Sequence, residues 1–227
     1  MDFISLITYT HIGAGIISLV AAPIAMIVLK GGKVHRKVGV VFFWAMTWIF
    51  VSAVFLSIYK YIPFLLMIAT FSYYSVIVGY RSIYQKHLKK NIKWYDWFAL
   101  VVSGLFNIGF IIWGGYHAIM DQLGFFAYLS VIFGTGGLTI VFGQIKLFTS
   151  PSEDKYSWLY SHIGNMTGGF IASVTAFSTQ VMVFMPGVIQ WLWPSVIGVP
   201  LIFFWISSYR RKLAGSSRLT DLVELKR

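Results

Sequence analysis

Seven stretches of apolar residues, separated by short clusters of charge, constrain this chain more than any other feature. They run over about 3–29, 38–59, 62–81, 97–117, 123–146, 159–184 and 189–208. A run of roughly 20 apolar residues matches the hydrocarbon thickness of a bilayer. Backbone groups in lipid must pair within their own segment or in a closed barrel. The strand alternation of an outer-membrane barrel is absent, so the runs read as helices. Composition agrees: 11% of residues are charged, against about a quarter in soluble domains. The expectation is an all-α, polytopic membrane bundle of seven transmembrane helices. No long linker interrupts it, so residues 1–209 read as one transmembrane domain and 210–227 as a basic tail.

Charge sets the expected orientation. Lys30, Lys33, Arg36 and Lys37 lie between the first two runs. Arg81, Lys86, Lys89, Lys90 and Lys93 lie between the third and fourth. Lys146 and Lys155 flank the loop after the fifth, and six more cations lie from Arg210 onward. The opposite loops hold only Lys60, so 17 of the 18 cations share one side. The positive-inside rule makes that side the cytoplasm, with the N-terminus outside and the C-terminus inside. The net charge of +11 therefore reflects topology and implies no nucleic acid. Met1 to Gly15 carry no Lys or Arg, so the start does not read as a cleavable signal. The chain has no cysteine, which excludes disulfides, thiolate metal sites and covalent c-type haem attachment.

No Asp or Glu lies deep in a run, which counts against proton-coupled carriers and pumps. The histidines carry more. His11 falls inside the first run, His117 ends the fourth, His162 begins the sixth, and His35 sits in the basic loop before the second. By depth they pair as His11 with His117 outside and His35 with His162 inside. His87, among lysines, reads as solvated. Small polar residues recur at helical spacing around them: His11, Gly15, Ser18 and Ala22; Ser103, Asn107, Gly114 and His117; His162, Asn165, Met166, Gly169 and Ser173. Close helix packing with interhelical hydrogen bonds explains such stripes without further function. Axial histidines on different helices also ligate haem b without any cysteine. In that reading His162 pairs with His35 or Met166, and Lys33 and Arg36 meet the propionates.

"THIGAGIISLVAAPIAMIVLKGGKVHRKVGVVFFWAM", "FSYYSVIVGYRSI", "SHIGNMTGGFIASVTAF" and "WLWPSVIGVP" together resemble the bacterial membrane family called domain of unknown function 2306. The resemblance spans His11 to about Pro200. It implies a multi-pass protein of the bacterial inner membrane. It marks His11, His35, Arg36, Arg81, His162 and Met166 as pattern positions, and leaves out His117.

Three functions fit these residues. In the first, His162 with His35 or Met166 binds haem b or a metal for electron transfer, and His11 serves a second site or a quinone or other redox partner. In the second, Arg36, Arg81 and Asn165, with His35, hold an anionic small molecule or lipid headgroup without a cofactor. In the third, the stripes only pack helices, and the protein is a structural or assembly factor. No nucleophile–base pair stands out, and no catalytic residue is assigned.

Overall fold

A computed structural model describes residues 2–86, 92–150 and 154–215. His87 and the expected tail cations Arg218, Lys226 and Arg227 lie outside the described residues. Among those described there are seven helices and no strand. They are α1 (Phe3–Ile27), α2 (Lys33–Tyr59), α3 (Pro63–Ser82), α4 (Trp94–Ile119), α5 (Phe125–Thr149), α6 (Ser157–Val181) and α7 (Gly187–Gly215). All but α6 are long and apolar enough to cross a membrane. Large apolar side chains such as Ile27, Trp44, Ile112 and Phe203 face outward. That surface suits lipid and not water, and the chain is a multi-pass helical membrane protein.

The sixth helix is less apolar because its sequence carries His162, Asn165, Ser173, Thr175 and Ser178. Its position compensates: α6 packs against α1, α3 and α7, while α3 packs against α2, α4, α5 and α6. The two form the centre. The hairpins α1–α2 and α4–α5 flank them, and α7 leans on α6.

Glycines set how closely the helices approach. A Cβ on Gly79 would lie 2.8 Å from the Met166 backbone nitrogen. One on Gly134 would lie 2.9 Å from the Asn107 carbonyl oxygen, and one on Gly114 would lie 2.6 Å from that of Ala127. Lipid tails are as apolar as leucine, so this contact density, with hydrogen bonds across the seams, holds the bundle together. Along α3–α6, the Ser75 hydroxyl donates to the Asn165 carbonyl at 3.0 Å. The Ser82 hydroxyl lies 2.8 Å from that of Ser161. At the end opposite the basic turns, Phe64, Phe110 and Leu129 bury against Trp113 and Trp191.

Several helix boundaries differ from expectation by a few residues, and three on the basic side bear on the site. The second helix begins at Lys33, so His35 and Arg36 belong to its first turns and not to a loop. The turn before it is short because Gly31 takes a φ of +74°, which a side chain would resist. The seventh helix continues past 209 through Arg210, Arg211 and Lys212 to Gly215. The fourth starts at Trp94, closed by a bond from the Lys93 N–H to Asp96 Oδ2 at 2.8 Å. The first two share a physical reason. Lipid ends where charge begins, but a helix does not, since long cationic side chains reach past the boundary while the backbone stays helical.

Candidate functional site

The basic turn between α1 and α2 answers why a histidine stands beside it. The last carbonyls of a helix have no partner within that helix. Here Ala25 O, near the end of α1, accepts from His35 Nδ1 at 2.9 Å and from Lys30 Nζ at 3.2 Å. Lys30 Nζ also bonds the Met26 carbonyl and lies 5.4 Å from the Trp205 ring centroid. Burial pulls its ammonium below the usual lysine range.

His162 does the same for α3. Its Nδ1 lies 2.9 Å from Gly79 O. That carbonyl is free because the helix tightens at its end, with Ile83 N bonding Arg81 O. A carbonyl only accepts, so both histidines carry their proton on Nδ1. When neutral, each then presents its lone pair on Nε2. Neither Nε2 has a hydrogen-bond partner among the described residues.

The two rings meet. Their centroids lie 6.2 Å apart, with planes inclined at 67°. Each ring reaches the C-terminal end of one helix, α1 or α3, from the first turns of another, α2 or α6, so helix-end dipoles of both signs surround the pair. The depth pairing of His35 with His162 is thus met in space. No cluster of three or more His, Asp or Glu exists among the described residues, so the pair would have to act with ligands from solution or from a cofactor.

Met166 sits one turn along α6 from His162, but its thioether is spent on packing. Its Sδ lies 3.0 Å from where a Gly79 Cβ would be. It therefore crowds the same glycine whose carbonyl oxygen His162 Nδ1 contacts. Asn165 bridges helices: its Oδ1 lies 3.3 Å from Ser75 Oγ, and its Nδ2 donates to Ser161 O at 3.0 Å.

The two arginines differ. Arg36 is exposed, on the turn of α2 that carries His35. Arg81 turns its guanidinium onto Asp96, with Nε to Oδ1 at 2.7 Å and Nη2 to Oδ2 at 2.8 Å. Its cation also lies 4.9 Å from the Tyr95 ring centroid. The sequence reading missed this pair. Its trace was there: Asp96 is three residues after Lys93, where an acid caps a helix start.

The outer histidines do not meet each other. His11 Nδ1 lies 2.7 Å from Ser52 Oγ, between α1 and α2. Ser52 directs its proton to the Trp48 carbonyl at 2.6 Å, so His11 is the donor to it. His117 Nδ1 lies 3.0 Å from Gln122 Oε1, and its ring rests against Trp113. The expected outer pair fails because matching depth does not make two helices neighbours. His11 faces α2, and His117 folds back on its own helix end.

No family model, no curated protein and no solved structure matches this chain.

Proposed function

We propose that this protein holds a redox cofactor between His35 and His162 at the cytoplasmic face of a bacterial inner membrane. The carrying observation is the paired, pre-oriented rings. Each Nδ1 is fixed by a backbone carbonyl, each Nε2 is unclaimed, and the centroids are 6.2 Å apart. That separation brings both imidazoles within reach of one shared group. Ligating histidines characteristically give their other N–H to a carbonyl or carboxylate.

Haem b fits the electrostatics better than a bare dication. Exposed Lys33 and Arg36 flank His35 on α2 and suit the carboxylates at the edge of the macrocycle. Bound there, haem would supply one-electron transfer, and His35 and His162 would hold it through Nε2 with Lys33 and Arg36 as counter-charges. Seven spans, an external N-terminus and membership of the domain of unknown function 2306 family complete the proposal. The polar sixth helix would cross within the bundle, shielded by α1, α3 and α7.

The test is an absorption spectrum of detergent-purified protein from haem-replete cells, before and after dithionite. The expected result is a Soret band with sharpened α and β bands on reduction, lost in His35→Ala and in His162→Ala. A protein-only spectrum with no metal by elemental analysis overturns it. A second reading then leads: an anion or lipid-headgroup site. Its support is Arg36, whose exposed guanidinium has no ion pair among the described residues.

A further inference from the structure

At the basic end of α3, on the side facing α4 and α5, the protein has a small cavity. Tyr74, Arg81, Gln85, Asp96 and Gln144 contribute its polar lining. Gln85 follows α3 in the chain and is 2% exposed, yet its Oε1 has no hydrogen-bond partner among the described residues. Leaving a buried amide oxygen unpaired costs about 1–3 kcal/mol. Tyr74 and Gln144 are also buried, and each brings a polar group to the same space.

We infer that the cavity is a binding site for one resident water molecule, which donates to Gln85 Oε1 and bridges it to Tyr74 or Gln144. Three properties select this occupant. The space is water-sized. Its lining offers the two to four polar partners that a buried water requires. Its charge is already balanced, because Arg81 neutralises Asp96 through two hydrogen bonds, so neither a cation nor an anion gains by entering. The water would tie the turn after α3 back to α3 through Tyr74 or across to α5 through Gln144. Lys86, the next residue in that turn, stands 4.3 Å from the Trp158 ring centroid on the neighbouring α6. The inference is independent of any cofactor at the histidine pair.

Thermal unfolding of the full chain in detergent tests it, with Gln85→Met, Tyr74→Phe, Gln144→Met and the double variants of Gln85. An empty cavity predicts that Gln85→Met raises Tm, since it removes an unpaired acceptor. A resident water predicts a fall of about 2–4 °C, the shift for about 1 kcal/mol in a chain of this size. It further predicts that one of the doubles loses clearly less than the sum of its singles, because both residues bind the same molecule. A rise in Tm, or additive losses in both doubles, overturns the inference. If Gln85→Met does not fold, a map of the wild-type protein that resolves ordered solvent decides it: density within hydrogen-bond distance of Gln85 Oε1 supports the water, and its absence excludes it.

Discussion

Arg81 and Asp96 form a two-pronged ion pair at the basic end of the bundle, with Nε–Oδ1 at 2.7 Å and Nη2–Oδ2 at 2.8 Å. The carboxylate side chain is 3% exposed and the arginine 18%. Asp96 also accepts the Lys93 N–H, so one carboxylate joins the end of α3 to the start of α4. Removing one partner of a fully buried pair costs about 3–5 kcal/mol. Partial solvation of Arg81 reduces that here. Asp96→Ala is expected to destabilise the protein by about 2–3 kcal/mol. Arg81→Ala with Asp96→Ala should cost less than the two singles added. Additive losses by thermal unfolding in detergent would show that the pair contributes little.

Gly79→Ala should be costly, because the added methyl meets the Met166 backbone nitrogen at 2.8 Å. Backbone cannot rotate away, so α3 and α6 must part. Overpacking of this kind costs about 1–3 kcal/mol, against the roughly 1 kcal/mol that alanine gains over glycine within a helix. Trimming Met166 to alanine should not rescue it. Gly109→Ala is the control: nothing lies within 4 Å of its Cβ position, so it should be neutral or stabilising. Because His162 bonds the Gly79 carbonyl, Gly79→Ala should also weaken any spectrum that depends on His162.

Gly137 provides the contrasting case. A Cβ there would collide with the Asn107 side-chain amide, which donates to Ser103 O at 2.8 Å. The obstacle is a side chain, so the cost should be recoverable. Gly137→Ala alone is expected to lose about 1–3 kcal/mol. Asn107→Ser in the same protein should restore most of it. Failure of the rescue would mean that the α4–α5 seam is limited by backbone at this point.

The first helix should show an acid limit. Hydrogen bonds from Ser5, its side chain foremost and then its backbone N–H, hold the Asp2 carboxyl below the usual aspartate range. The backbone bond, Ser5 N to Asp2 Oδ1, is 2.9 Å. A lowered folded-state pKa means that the cap contributes fully above the unfolded value of about 3.9. The contribution is lost as pH falls through the folded value. Amide exchange at the start of α1 should therefore accelerate at acid pH beyond its intrinsic trend. Asp2→Ala should show the faster exchange at neutral pH and lose the acid step.

The sequence by itself determined the class of object and the side chains at issue. Apolar runs the length of a bilayer leave a chain no alternative to helices, and 17 of 18 cations on alternate loops imply one orientation. Periodicity also placed the glycines, serines and asparagines on packing faces, since i, i+3 and i+4 share one side of a helix wherever that helix goes. Which faces meet is a property of three dimensions. His35 and His162 are 127 positions apart, and nothing local ties their rings together. They meet because α6 packs on α3 while the α1–α2 turn lies beside both. His11 and His117 share the outer side and do not meet, because α1 spends its histidine on α2. Tertiary structure also decided what each group was free to do. It gave Arg81 to Asp96, Met166 to Gly79, and both inner Nδ1 atoms to helix-end carbonyls. Only close packing in a low-dielectric interior makes such partners obligatory, because a buried polar group left unpaired costs more than the geometry needed to pair it.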